Sequence, residues 1–503
     1  MKRRISVSFL ALILCLCFLF SSCGSITNED STLSSDGSFA NAESSSNHKN
    51  DDPQKTPEEH IADITSEWRG QTLNVLATTW NSEEATMPWS QVELTVNGDC
   101  YNTDSGFGQI INNAVVLRNS QIEEKYGVKV NWISARGSQI GSLLGEAQAS
   151  GSTKYHIAMP RACEAQSLVA SSSIYDIASS KYIDLNESYY SQASREAYSI
   201  GGRTLFIGGD FSFIDESSAY VTYWNLAMSE NIVDFPNLYD TVRNGQWTIE
   251  EMKNWARLIY KNSDEPQWTD ADTYGFGTEG LVQFYQYGGI NQVYVKDGQY
   301  ALLDSNTNIN EIVNAILDVK SGVWARTEWD KTSVEAFNDG RLLLLNDTLE
   351  KASLFTTENG KLKVGILPNP KLTAQQEKYY TPCTEKATLM CVPRVTPNRE
   401  MSEAFIEVLS KTGKEHIMSS YVQTITNKLD NAHSEDNLEM LGYIFDGISY
   451  DTGYIHSSPL ITEALVELYS NKSGFVENNN AEIIERARET VEQWNKSWLS
   501  YKE

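Results

Sequence analysis

Hydrophobic positions along the chain switch between two periods, and the switches lay out the elements. Thr72 to Thr78 (Thr-Leu-Asn-Val-Leu-Ala-Thr) reads as a short strand, and Ile110 to Tyr126 carries the 3.6-residue period of a helix that Gly127 ends. Val128 to Ile133 then alternates as a second strand. The order β-α-β calls for a parallel sheet with helices on its faces. Further along, Thr248 with Glu251 forms a capping box that predicts a helix to about Tyr260. Thr332 with Glu335 opens another that stops at Gly340, and Asn398 opens one that stops at Gly413. No stretch repeats itself. The pattern is that of an α/β chain.

The amino-terminal pattern is different. Lys2, Arg3 and Arg4 precede a run from Ile5 to Phe20 that is apolar except at Ser6 and Ser8, and Ser21-Ser22-Cys23 follows. A basic start, a short apolar core and small residues make a secretory signal over 1–22. The core is shorter than the roughly 18–20 residues that span a bilayer. Cys23 at the cleavage point resembles a bacterial lipobox, which implies a mature chain that begins at a lipidated Cys23 and is held on the outer face of the cell membrane. From Gly24 to about His60 the chain is almost free of large apolar residues, so it cannot offset its ordering entropy and is expected to be a disordered linker. As a flexible tether its end-to-end distance is roughly 35 Å. With the anchor, this linker is expected to occupy 23–64.

Composition changes the picture in two places. A body of this length, in a chain that is 40% hydrophobic, has enough apolar residues for more than one domain. The net charge of −27 argues against nucleic acid and against direct docking on anionic lipid, both of which attract basic surfaces. Cys100, Cys163, Cys383 and Cys391 remain in the mature chain; their even number permits two disulfides, and free buried thiols are an equal alternative. The six histidines are scattered, with no H-E-x-x-H pair, and no C-x-x-C spacing occurs, so neither a metal nor another cofactor is expected.

Three sharper motifs fail. Gly275 to Gly280 fits G-x-G-x-x-G but lies far from the first β-α-β unit, so it reads as a chance match. Asp304, Asn306 and Asn308 imitate a calcium loop, yet Ile309 stands where that loop needs glycine and Ala315 where it needs glutamate. Asp215 and Glu216 are adjacent, and neighbouring strand side chains point to opposite faces, so they make a poor glycosidase pair. No nucleophile elbow and no phosphate-binding Walker loop is present.

The order of short motifs resembles that of bacterial extracellular solute-binding proteins of the maltose-binding type. Ile122 to Val130 is similar to the family's opening, and Tyr155 to Ala158 stands where its next strand falls. Gly202 to Gly208 resembles a Gly-Lys-x-Tyr-x-x-Pro turn, with Gly208 in place of the proline. Val221 to Asn225 is similar to a Tyr-Tyr-Asn crossing strand, and Trp247 to Glu251 to a Thr-Trp-Asp-Glu helix start. Ala336 to Arg341 matches Phe-x-x-Gly-Lys and is followed by Val364 to Pro368. The resemblance runs from Gly70 to about Asp451.

It implies a periplasmic-binding-protein fold: two α/β lobes joined by crossing hinge strands, with a ligand cleft between them. Lobe 1 is expected at 65–218 plus 390–435, and lobe 2 at 219–389 plus 436–503. On the same resemblance, ligand contacts fall on Trp80 and Asn81 after the first strand, Arg161 after the Tyr155–Met159 strand, and Asp215 and Glu216 before the first crossing. Phe284, Tyr285 and Tyr287 fall at an aromatic platform, and Asn346 and Asp347 at another cleft-facing strand end. A sugar needs aromatic faces for its C–H surface and planar polar groups for its hydroxyls, which makes carbohydrate the expected ligand. The implied function is the monomeric, non-enzymatic substrate-binding component of an ABC importer, handing an oligosaccharide to permease subunits. The alternatives are a binding protein for a peptide or another polar solute, or a lipid-anchored carbohydrate-active enzyme.

Overall fold

A computed structural model describes residues 55–79, 106–136, 139–262, 269, 271–278, 280–303, 310–327, 332–357, 362–458 and 481–502. Strand β1 (Thr72–Thr79) pairs in parallel with β2 (Lys129–Arg136) on one side and β3 (Ile157–Met159) on the other. Ala158 bridges Cys391 and Ile207 bridges Met390, both antiparallel, which widens the sheet by two short segments. Side chains alternate across it. Val75, Ile157, Met159, Met390 and Val392 turn to a face covered by Trp68 and Phe405. Leu76, Ala158, Leu389 and Cys391 turn to the other, covered by Leu144, Leu168 and Trp498. Both faces are buried, as a parallel sheet requires.

The helix expected from Ile110 begins at Gly106, and Gly127 ends it with φ +68°. A further helix, Pro57–Trp68, begins inside the stretch read as linker and runs past its end at 64. Thr56 and Glu59 close a capping box there, and Ile61 and Trp68 are buried against the first lobe. Its short apolar spacing was masked by the polar residues around it. The expected linker before Lys55, the signal and Cys23 lie outside the described residues.

The second sheet is built from β4 (Tyr220–Asn225), β5 (Tyr274–Thr278), β6 (Ala325–Arg326), β7 (Leu342–Thr348) and β8 (Val364–Leu367), in the order β6-β5-β7-β4-β8. β5 runs parallel to β6 and β7, while β4 is antiparallel to β7 and β8. Every residue of β4, β5 and β7 is buried, in a core that includes Trp247, Phe337 and Tyr223. Gly275 and Gly277 of the rejected dinucleotide motif lie within β5. Thr248 caps the helix Ile249–Ala256, which stops short of Tyr260. Each sheet with its helices forms one lobe of an α/β, periplasmic-binding-protein type fold.

Gly413 does not end its helix. Helix Arg399–Gly413, capped by Asn398, continues through a π turn at Lys414–Met418 into Ser419–Thr426. A Cβ on Gly413 would stand 2.2 Å from the Asp210 carbonyl, so the glycine is there for close approach, not as a stop signal. Met401, Phe405 and Leu409 pack in the first-lobe core, whereas Ile417, Tyr421 and Ile425 pack in the second-lobe core. The helix therefore changes lobes at its π turn. The helix Ala481–Leu499, in the stretch expected with lobe 2, buries Val491 and Trp498 beside Leu168 and Ile174.

Candidate ligand cleft

The strands of the first lobe run parallel, so their carboxyl ends share one edge, and the chain at that edge leads to the second lobe. Arg161, two residues past β3, forms an antiparallel bridge with Thr388. Its backbone N–H donates to Glu164 Oε2 at 3.2 Å. Two residues before Thr388, the Lys386 ammonium lies 3.2 Å from Glu350 Oε1, just past the carboxyl end of β7. The carboxyl ends of β3 and β7 thus meet through residues 386–388. Open α/β sheets bind ligands at such ends.

Asp215 and Glu216 sit on the short helix Ile214–Ser217, which leads from the first lobe into β4. Asp215 Oδ1 accepts the Thr388 N–H at 2.8 Å, and Oδ2 accepts the Tyr450 hydroxyl. Burial pushes its pKa up to about 6, against the pull of those two bonds. Asp210 is also pushed up to about 6, again by burial. Glu216 is held well above the usual carboxylate range by burial and by Asp215 and Asp210 beside it. Its Oε2 is covered and has no hydrogen-bond partner.

The aromatic trio occupies helix Phe284–Tyr287, and all three are buried. Phe284 packs edge-on against Phe276 of β5, with ring centroids 6.0 Å apart. The Tyr285 hydroxyl donates to Asp451 Oδ2 at 2.5 Å, and the Tyr287 hydroxyl donates to Asn346 Oδ1 at 2.8 Å. Asn346 Nδ2 donates to the Val221 carbonyl at 3.0 Å and to Asn369 Oδ1 at 2.9 Å. Asp347 is fully buried; its Oδ1 accepts the Thr348 N–H at 2.7 Å, and Lys351 Nζ is 3.8 Å from its Oδ2. Trp80 and Asn81 lie outside the described residues.

The sequence-expected residues therefore fall into two groups. Phe284, Tyr285, Tyr287, Asn346 and Asp347 belong to the second lobe, where Tyr287 and Asn346 touch. Arg161, Asp215 and Glu216 belong to the junction. Lys386, Glu350, Asn369, Thr388 and Tyr450 were missed. Thr388 and Tyr450 carry no local motif, because their role comes from long-range contact with Asp215. Lys386 beside Glu385 did offer a signal, as charges just ahead of the apolar run Ala387 to Val392. Cys163, Cys383 and Cys391 are free thiols, so Cys383 and Cys391 are not joined; Cys100 lies outside the described residues.

No family model and no curated relative matches the chain. Solved structures do. A cyclo/maltodextrin-binding protein complexed with maltotetraose is similar over 86% of this chain and 98% of its own, at a TM-score of 0.53 and 12% identity. A maltose/maltodextrin-binding domain from Bdellovibrio bacteriovorus, bound to maltotriose, covers 84% of this chain and all of its own, at 0.49 and 10%. An ABC substrate-binding protein from Listeria monocytogenes, in complex with cycloalternan, covers 85% and 98%, at 0.49 and 12%. The fold is that of the maltodextrin-binding type of extracellular solute-binding protein. Among the described residues no helix is long and apolar enough to cross a membrane.

Proposed function

We propose that this chain is the extracellular substrate-binding component of an ABC importer, which captures a carbohydrate by closure of its two lobes and passes it to a permease. The observation that carries the reading is the fold likeness to a maltodextrin-binding protein across 86% of the chain. That relative is complexed with maltotetraose, and an oligosaccharide is the ligand class inferred here. Further support comes from the junction, where the carboxyl ends of β3 and β7 meet through short polar contacts. The ligand enters between the lobes there, and Arg161 and Glu216 are the junction residues proposed to touch it. Lipidation at Cys23 and a tether through the acidic linker hold the body outside the cell as a monomer. Capture needs no covalent chemistry, and no turnover is expected.

Titration calorimetry of the purified body against neutral oligosaccharides and peptides tests the proposal. Micromolar or tighter binding of one glycan class, recovered uncleaved, supports it. Binding of peptides alone overturns the carbohydrate assignment, and recovery of a cleaved glycan overturns the non-enzymatic reading.

A further inference from the structure

Asp215 was expected from sequence to contact ligand, yet it is 3% exposed and both of its carboxylate oxygens are engaged inside the protein. Their partners come from different passages of the chain between the lobes. Thr388 belongs to 381–389, which returns to the first-lobe sheet, and Tyr450 belongs to 447–451. Those two passages also pair with each other, through the parallel strands Thr381–Pro382 and Ile448–Ser449. The Asp215 carbonyl accepts a weak bond from the Cys383 thiol at 3.6 Å, a second tie to 381–389. Asp215 itself lies on the remaining passage, Ile214–Ser217 into β4.

We propose that Asp215 is the positioning residue of the hinge, its carboxylate clasping the three passages between the lobes and so setting their relative arrangement. For its functional meaning the inference rests on the two-lobe capture reading above. A second feature of this chain fits it. Gly208 stands where the resembling family has proline, and a Cβ there would be 3.0 Å from Asp215 Oδ2 and 2.9 Å from Ser194 Oγ. The Gly208 N–H also donates to Ser194 Oγ at 2.9 Å, a bond proline has no hydrogen to make. Glycine at 208 leaves room for the clasp.

The clasp fits either charge state of Asp215. The Thr388 N–H gives its hydrogen to Oδ1 in both, and the Tyr450 hydroxyl donates to an ionised Oδ2 or accepts from a protonated one. Burial opposes ionisation and places the change at about pH 6. Asp210 and Glu216 flank Asp215 on its own stretch, and Tyr198, Cys383 and Tyr450 face it from neighbouring segments. Lys414 Nζ is 3.9 Å from Asp210 Oδ2. A clasped carboxyl holds its proton up to about pH 6, whereas an opened and hydrated one loses it in the usual range, so opening is easier at pH 7.5 than at pH 5.

Amide hydrogen exchange on the unliganded full chain, corrected for intrinsic rates, tests this at pH 5 and 7.5. Wild type should lose protection in 381–389 and 447–451 as pH rises through about 6. Asp215→Ala should show at least tenfold lower protection in both segments at pH 5, with a flat pH profile, while β1 and β7 keep theirs. Tyr450→Phe, a milder change, should loosen 447–451 without unfolding the chain. Unchanged protection in both variants, or the same pH profile in Asp215→Ala as in wild type, overturns the clasp. No ligand enters these readouts, so a failure of the carbohydrate reading would show separately, in the calorimetry.

Discussion

Lys386 Nζ lies 3.2 Å from Glu350 Oε1, and this ion pair joins the passage returning to the first lobe to the turn after β7 of the second. The Glu350 side chain is 6% exposed and that of Lys386 is 25% exposed. A charge this covered depends on its partner, because water cannot replace it.

Lys386→Met is therefore expected to destabilise the protein by roughly 2–4 kcal/mol, since it strands a buried carboxylate. Adding Glu350→Gln should recover part of that loss. Urea unfolding of the two single variants and the double variant measures the coupling; additive losses would mean the pair is not coupled.

Asn346 shows how a strand end holds the second lobe together. Its amide accepts from Tyr287 and donates to the Val221 carbonyl and Asn369. Asn346→Leu keeps the volume and leaves those partners buried without bonds, so a loss of about 3 kcal/mol is expected. A loss below about 1 kcal/mol in denaturant unfolding would contradict that role.

Acid should destabilise the fold through two histidines, the buried His156 and the half-buried His456. His156 Nδ1 accepts the Asn74 N–H at 3.1 Å, and His456 lies against the Cys163 carbonyl and the Tyr198 hydroxyl. Burial lowers both to about 4. The unfolded chain then binds more protons, so this stability is complete above about pH 6.5 and is lost as pH falls toward 4, at roughly 3 kcal/mol each. Asp210 and Asp215, pushed up to about 6, act in the opposite sense: their contribution is full below the unfolded carboxylate range and is lost as pH rises through 6. The two sets partly offset each other between pH 4 and 6. His456→Phe should flatten the fall in urea midpoint between pH 6.5 and 4.5, and an unchanged slope would contradict the assignment.

Gly208→Ala should cost about 1–3 kcal/mol, because its Cβ meets Ser194 and Asp215 at 2.9 and 3.0 Å. Combining it with Ser194→Ala removes one clash and should restore part of the loss. A Gly208→Ala variant with wild-type melting temperature would mean that the close approach is relieved without strain.

What the sequence made legible was local. The short apolar run in Thr72 to Thr78, the Asn398 cap and the Thr248 capping box each matched an element, because such runs and caps act over a few residues. Gly413 misled, since close approach to Asp210 and a C-terminal stop leave the same letter in the chain. The helix Pro57–Trp68 was hidden because Ile61 and Trp68 reach the core from a mostly polar segment. At the junction the sequence supplied Asp215 but not its partners: Thr388 and Tyr450 lie 173 and 235 residues away, beyond any local pattern. Tyr285 and Tyr287 were read as a ligand platform, whereas their hydroxyls are engaged with Asp451 and Asn346.

Thermal unfolding of the purified body, alone and with a panel of oligosaccharides, tests the central claim most directly. A ligand bound only by the folded state adds RT ln(1 + [L]/Kd), about 2.7 kcal/mol at a hundredfold excess over Kd. The account predicts a rise of several degrees with one glycan class and intact glycan recovered afterwards. No rise with any oligosaccharide, beside a clear rise with peptides, would contradict it.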